Sequence, residues 1–343
     1  MQMRQAVIVG PETFAVQQAP RPTLRGPGEV LLQTIACGLC SGDLMPWYLA
    51  RKVGTVLGHE PVGRAIEVGA EVTTIRVDDL VFAHHHAPCM VCVECRRGAL
   101  VHCPTWKRTA LDPGGMAEYI RVPAEIVRAD AFAVNELHPE QALFLEPVGC
   151  CVKAFERLGG SEGIAGGRVV VVGCGVMGLL NIQTARAYGA REIVAVEPDA
   201  ARRDSARNNG ATEVWTPEEA SERLRHAADI VIIGPGHPDA IRQALGYVRA
   251  AGAACLFAPT EPGVLTPMDL GELYFHEVSL IPAYSCGPLD TAIARDLIAS
   301  NRVRPRELIS HRFALDDVQT AYDTARSGGS AVKIVVTLSG EET

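Results

Sequence analysis

The sequence predicts an α/β fold class in two modules, and three observations carry that reading. Up to about residue 150, short strand-like runs are separated by Gly and Pro. Beyond it, apolar β-branched runs alternate with stretches of ten or more residues suited to helices. Such alternation indicates βαβ units and a parallel sheet buried on both faces. Between the first of these runs and the first helix stands Gly173-Cys174-Gly175-Val176-Met177-Gly178. This is a G-x-G-x-x-G turn of the kind that receives a dinucleotide pyrophosphate.

The elements follow in order. QAVIVG, EVLLQTIA, GRAIEVG, DLVFAHHH and MAEYIRVP read as strands, with RPTLRGPGE and LDPGG as turn chemistry among them. RVVVVG then opens into a helical stretch, VMGLLNIQTARAYGA, that closes on Gly189. REIVAVEP is a second strand, followed by the helix DAARRDSARNNGA, which stops at Gly210. TEVWT, ADIVIIGPG and GAACLFAP continue the alternation, with helical segments between them, notably PDAIRQALGYVRAAG. After Pro282 come a helix (LDTAIARDLIASNRV), a strand (ISHRFAL), a helix (DDVQTAYDTARSGG) and a strand (AVKIVVTL). On pattern alone, the last sixty or so residues fit either module.

In the glycine turn, Gly173 permits the tight bend, Gly175 admits the pyrophosphate and Gly178 lets helix and strand pack closely. Val176 and Met177 start the helix, whose free N–H groups and positive dipole end favour phosphates. Glu197 closes the second strand nineteen residues after Gly178, where a carboxylate accepts hydrogen bonds from a ribose diol. It would also repel a 2′-phosphate, so the expected cofactor is NAD, with NADP less favoured. Arg202 and Arg203 lie close enough to soften that exclusion. A Rossmann domain binding a nicotinamide dinucleotide is therefore expected.

Composition bounds the remainder. The 343 residues are 48% hydrophobic and 21% charged, with 32 Lys and Arg against 40 Asp and Glu, a net charge of −8. That supports packed cores and excludes wholesale disorder. No block of like charge suggests a nucleic-acid groove or a membrane surface as partner. The longest uncharged apolar run, Val169 to Leu180, has twelve residues and is too short to span a bilayer. The first residues do not resemble a signal peptide, so the expected location is the cytoplasm.

A cytoplasmic chain with eleven cysteines calls for a metal rather than a disulfide framework. Cys89, Cys92, Cys95 and Cys103 form C-x2-C-x2-C-x7-C. Four thiolates in one short loop make a closed tetrahedral zinc site, which is structural because no position is left for substrate. Cys37, Cys150, Cys151, Cys174, Cys255 and Cys286 fit small buried hydrophobes.

Three further segments carry chemistry. Gly38-Leu39-Cys40-Ser41-Gly42-Asp43 follows a strand. Gly58-His59-Glu60 begins G-H-E-x2-G-x5-G-x2-V, and Leu145-Glu146-Pro147-Val148 lies where the two textures meet. Cys, His and a carboxylate from separate segments suit a zinc with a fourth position open to water or substrate.

Together these motifs resemble the zinc-dependent alcohol dehydrogenases of the medium-chain dehydrogenase/reductase superfamily, over essentially the whole chain. The GHE motif, the four-cysteine lobe and the Rossmann fingerprint stand in that family's order, and LFLEPVGCCVKAF is closest to its polyol, sorbitol and threonine dehydrogenase branch. The resemblance implies a GroES-like catalytic domain of residues 1–148 plus 287–343, with the Rossmann domain, 149–286, inserted. It implies two zinc ions per chain, the catalytic one held by Cys40, His59 and Glu146, with Glu60 adjacent and able to exchange on and off the metal. The implied activity is reversible oxidation of a secondary alcohol to a ketone by hydride transfer to NAD. Polyols, cyclitols or sugar-like alcohols are the expected substrates and a threonine-type amino alcohol the alternative. A homodimer or homotetramer is the implied assembly.

One departure stands out. Family members usually carry Ser or Thr two residues after the zinc-binding cysteine, and Gly42 occupies that position here. The histidine that often follows is replaced by the stretch Leu44-Met45-Pro46. Water or Glu60 is the expected substitute for this proton relay, and Asp43 is expected to hold the loop. Tyr48, His84–His86, Trp106, Lys107 and Arg108 are candidates to border the substrate. Gly42 is also what a non-catalytic NAD- and zinc-binding relative would show, although such a relative has no chemical reason to keep Cys40, His59, Glu60 and Glu146 together. A zinc-free reductase of the superfamily would lack both metal sites.

Overall fold

Two antiparallel strands open the chain, β1 (Gln2–Gly10) and β2 (Thr13–Pro20), joined by a tight turn. Their computed structural model describes residues 1–339, so the last four residues of the expected span 287–343 lie outside the described residues. The strands β3 (Val30–Gly38), β4 (Glu60–Val68), β5 (Leu80–Ala83), β6 (Tyr119–Val122) and β7 (Ala131–Ala133) follow. The chain then runs through β8 (Arg168–Val172), β9 (Glu192–Val196), β10 (Glu213–Trp215), β11 (Ala228–Ile233), β12 (Val248–Leu256) and β13 (Ser279–Pro282). It ends in β14 (Ile309–Ala314) and β15 (Lys333–Thr337). It divides into two compact units. One comprises Met1–Glu146, Gly287–Ala299 and the chain from Pro305 onward; the other comprises Pro147–Cys286 and Ser300–Arg304.

The first unit is built on a seven-stranded sheet in the order β14-β15-β3-β4-β5-β7, with β6 also paired to β3. Its register positions the chemistry. β3 and β4 run antiparallel with Gly38 opposite Glu60 and Cys37 opposite Pro61. Cys40, just past the end of β3, therefore comes level with His59, just before β4. On the other flank β15 pairs with β3, Val335 opposite Gly38, which carries Lys333 to the same end of the sheet. Two apolar clusters support the unit, one around Ile8, Leu49, Met116 and Tyr322, the other around Val30, Leu32, Val81 and Ile120.

The second unit is a six-stranded parallel sheet in the order β10-β9-β8-β11-β12-β13. Numbered within the unit this is 3-2-1-4-5-6, the Rossmann order. The Val-rich strand β8 is buried on both faces, and the helix Val176–Ala187 that follows it is buried along almost its whole length. Capping matches composition: Asp199 accepts from the N–H of Arg202 at the start of helix Ala200–Asn208, and Thr216 and Glu219 form a capping box on Pro217–Arg223.

Several readings are corrected. PDAIRQALGYVRAAG is helical only over Pro238–Leu245; Gly246 caps the helix and Val248 enters β12 opposite Ala228. DLVFAHHH leaves the sheet at Ala83. β2 and β13 carry no strong alternation and are strands because the sheet pairs them. Leu145 to Val148 does span the division between the two units, and it does so as the first turn of a 13-residue helix, Leu145–Arg157.

Candidate active site and metal centres

The four-cysteine loop brings its sulfurs together: Sγ–Sγ separations are 3.6 Å for Cys92–Cys95, 3.7 Å for Cys92–Cys103 and 4.0 Å for Cys89–Cys95. Four Zn–S bonds of ~2.3 Å in a tetrahedron give an edge of about 3.8 Å. The donor set thus has the dimensions of a closed zinc site. Burial raises the Cys103 thiol, but N–H groups from Cys89, Trp106 and Thr105 outweigh it and bring it down to about 6, which favours a thiolate ligand. Cys95, Leu100, Val101, Cys103 and Trp106 form the buried apolar cluster of the lobe, with Cys89 and Cys92 packed against it, so the four ligands either belong to the core of this segment or border it.

A second donor set lies at the β3–β4 end of the sheet. Cys40, His59 and Glu60 each present a ligand atom, and these atoms lie within 4.8 Å of one another. Cys40 caps a short 3-10 turn over Ser41–Leu44, its sulfur accepting from the N–H of Gly42 at 3.3 Å. Asp43 on that turn is buried and sets a carboxylate oxygen 3.3 Å from Nδ1 of His59. Burial would lower the His59 imidazole, but Asp43 and Cys40 outweigh it and hold the ring well above its ordinary value. That balance marks a strongly negative setting, suited to a cation. A carboxylate on one imidazole nitrogen fixes the tautomer and directs the other nitrogen to a metal.

Glu146 stands outside this set. In the first turn of its helix it groups with His84 and His85, whose ligand atoms lie within 4.8 Å of its own. His85 links the two sets, its ring 4.9 Å from that of His59 and 4.4 Å from that of His84. Of the three consecutive histidines, His84 is fully buried and pushed down to about 3 by desolvation. His86 turns to Trp106, ring to ring at 4.3 Å. Only His85 faces the Cys40–His59 donors, with a buried Nδ1 that has no hydrogen-bond partner among the described residues.

In the second unit the glycine turn is built as its spacing requires. Gly173 has φ of +85°, and a side chain at Gly178 would collide with the Gly173 carbonyl. At Gly175 a Cβ would meet nothing within 4 Å, which leaves the turn open where a pyrophosphate approaches. No side chain caps the helix at Gly175, so the first N–H groups, from Val176 and Met177 onward, point to that opening. Glu197 is buried and accepts from the N–H of Cys174 at 2.7 Å and of Asp199 at 3.1 Å. Its carboxylate is thereby held against the glycine turn. Arg203 is drawn away, its guanidinium donating to the carbonyls of Glu197 and Pro198; Arg202 is half-buried at the helix start.

Comparison with known proteins agrees with this geometry. The alcohol dehydrogenase GroES-like domain family matches residues 26–130, and the zinc-binding dehydrogenase family matches residues 175–300. The chain is 31% identical over 327 residues to L-threonine 3-dehydrogenase of Pyrococcus horikoshii, covering 90% of each. The chain belongs to the zinc-dependent alcohol dehydrogenases of the medium-chain dehydrogenase/reductase superfamily, in their polyol and threonine dehydrogenase branch. Sorbitol dehydrogenase 2 of Saccharomyces cerevisiae is 28% identical, with 94% of each chain covered. A solved zinc-binding dehydrogenase of Sinorhizobium meliloti 1021, bound to NADP, superposes with a TM-score of 0.88 at 25% identity, covering 98% of this chain and 99% of that one.

As a member of this family the protein is an alcohol dehydrogenase that uses zinc and a nicotinamide cofactor, and its fold is the GroES-like and Rossmann pair. Sequence reasoning missed one residue of the site. Lys333 is 1% exposed; its Nζ pairs with the carboxylate of Glu60, donates to the carbonyl of Leu39 at 3.1 Å and lies 5.4 Å from the centre of the Phe144 ring. A side chain at Gly38 would collide with both partners of this pair. The signal was present: a lysine inside the apolar run AVKIVVTL must find a counter-charge if that run is buried.

Proposed function

We propose that the protein oxidises a secondary alcohol of polyol, cyclitol or sugar-like type reversibly to a ketone, with NAD as hydride acceptor. The observation that supports this best is the convergence of Cys40, His59 and Glu60 beside the buried Asp43. These three would hold the catalytic zinc, with Glu146 in the neighbouring donor set together with His84 and His85. Cys89, Cys92, Cys95 and Cys103 would hold a second, structural zinc. When bound, the catalytic ion supplies Lewis acidity to the alcohol oxygen, and the dinucleotide supplies the hydride acceptor.

The chain's own groups do the rest. Asp43 orients His59. Lys333 balances Glu60 and ties it to the sheet, so Glu60 is poorly placed to act as a freely swinging relay in place of a hydroxyl at position 42. His85, neutral because burial and the neighbouring His84 push its imidazole well below its ordinary value, offers a hydrogen-bonding nitrogen to a substrate hydroxyl. The same reading assigns residues 1–148 and 287–343 to the catalytic domain and 149–286 to the cofactor domain.

NAD is favoured over NADP because a buried carboxylate at Glu197 accepts from ribose hydroxyls with its remaining lone pairs and repels a 2′-phosphate. A homo-oligomer is part of the proposal. β13 is an open edge of its sheet, and Leu265, Leu270, Tyr274 and Phe275, in the segment that leads into it, are all at least two-thirds exposed, an edge and apolar side chains that a second copy would cover. No helix of the described residues is long and apolar enough to cross a membrane. Eleven free cysteines fit a reducing cytoplasm. A threonine-type amino alcohol is the second reading, favoured by the likeness to L-threonine 3-dehydrogenase.

The test is NADH formation by zinc-replete protein across sugar alcohols, cyclitols, threonine and simple secondary alcohols, repeated with NADP. Turnover of one polyol group with NAD is expected. Turnover of threonine alone selects the second reading, and a preference for NADP overturns the role given to Glu197.

A further inference from the structure

Apart from the donor sets of the first unit, the second unit gathers His226, Glu272 and His276. Each offers a ligand atom, and these atoms lie within 4.8 Å of one another. Nε2 of His226 is 3.3 Å and Nδ1 of His276 is 3.7 Å from Oε1 of Glu272, and the two imidazole rings have centres 4.7 Å apart and planes 9° from parallel. We propose that these three residues form a third metal site, taking a divalent ion of the zinc class at the surface of the Rossmann unit.

The arrangement of protons supports this. Nδ1 of His226 is 3.3 Å from the carbonyl of Val248, and Nδ1 of His276 is 3.0 Å from the carbonyl of Glu272. A carbonyl can only accept, so each contact places the proton on Nδ1; the Nε2 of His226 then faces Glu272, and the Nε2 of His276 joins it by a turn of the ring, since Nδ1 is the nitrogen 3.7 Å from Oε1 of Glu272. A histidine anchored through one nitrogen to a backbone carbonyl and free at the other is the usual form of a metal ligand. Two imidazoles and one carboxylate suit zinc or a neighbouring transition ion and leave one position for water.

The surroundings are compatible. The three residues line a cavity of about 130 Å³ with an apolar floor from Leu245, Leu273 and Val278. Of the two arginines bordering these residues, Arg242 is engaged by Asp239 at 2.8 Å, and Arg225 precedes His226 in the chain. His226 holds φ of +52°, a conformation that is uncommon for a residue with a side chain. Glu272 and His276 are four residues apart, on one face of the turn made by helix Leu270–Phe275. Leu270 and Tyr274 lie on the opposite face and are exposed. A metal here would tie this helix to the loop that precedes β11, across a segment otherwise held by few buried contacts.

The test is zinc titration of the full protein by calorimetry, with zinc counted by elemental analysis, for wild type and a His226→Gln/His276→Gln variant. One more equivalent in wild type than in the variant is expected, whatever the other two sites hold. Removing the ligands should weaken it by roughly tenfold or more, and added zinc should raise the wild-type melting temperature by about 2–4 °C but not the variant's. A Glu272→Gln variant that keeps both imidazoles should show intermediate affinity. Equal zinc content and equal melting shifts in wild type and double variant would overturn the proposal.

Discussion

Asp43 and His59 form a buried carboxylate–imidazole pair, 3.3 Å from Oδ2 to Nδ1, at the point where the β3 and β4 ends converge. Neither Asp43 carboxylate oxygen has another hydrogen-bond partner among the described residues, so the aspartate serves the histidine rather than the loop. Asp43→Asn should keep the fold and weaken zinc at this site by about 10–100-fold. Competition with a chromophoric chelator measures it. Retention equal to wild type would remove Asp43 from the metal centre.

Lys333 and Glu60 are each about 1% exposed. In protein stripped of zinc, replacing the lysine alone leaves a buried carboxylate without its counter-charge, at a cost of about 3–5 kcal/mol. Lys333→Met should therefore lower unfolding free energy in urea by that amount, and Lys333→Met/Glu60→Gln should recover most of it. An additive double variant would show that the pair is not coupled.

The pH dependence of stability carries the mark of Asp130. Desolvation raises its carboxyl to about 7, against the lowering effect of the Thr291 hydroxyl, which donates at 2.6 Å. A carboxyl whose folded value lies above its unfolded value near 4 stabilises the fold while protonated. That contribution is full below pH 4 and is lost as pH rises to 7. The difference in unfolding free energy between wild type and Asp130→Asn should therefore fall by up to about 4 kcal/mol across this window and then level off. A flat difference would contradict the buried, protonated state.

The lobe cysteines and the catalytic set should separate cleanly. Cys103→Ser should lose one zinc per chain and lower the melting temperature on the order of 5 °C, because Cys103 serves both the metal and the lobe core. Glu197→Ala should leave the fold intact and narrow the gap between NAD and NADP, read as the ratio of kcat/KM values. An unchanged ratio would place discrimination elsewhere.

What was legible in the sequence followed from short-range spacing. Cys89 to Cys103 lie within one loop, and Gly173 to Gly178 within one turn, so their roles could be read without the fold. Helices with clear caps, such as Ala200–Asn208, were equally plain. What failed depended on distant pairing. Lys333 meets Glu60 across 273 positions of sequence, and only the β15–β3–β4 register brings them together. Val248 to Gly252, the first half of β12, reads as the end of a helix because its small residues suit either state, and the neighbouring β11 decides; the second half, from Gly252, reads as the strand it is. Glu146 is grouped with Cys40 and His59 by resemblance alone; its helix sets it beside His84 and His85, and His85 in turn adjoins His59.

The most direct test of the zinc assignment is one measurement on Cys40→Ala: alcohol-dependent NADH formation, followed in the same sample as zinc content and NADH binding. Loss of turnover with one zinc fewer per chain and NADH affinity near wild type is the expected result. Turnover that survived with the wild-type zinc content would contradict the assignment of Cys40, His59 and Glu60 as the catalytic metal centre.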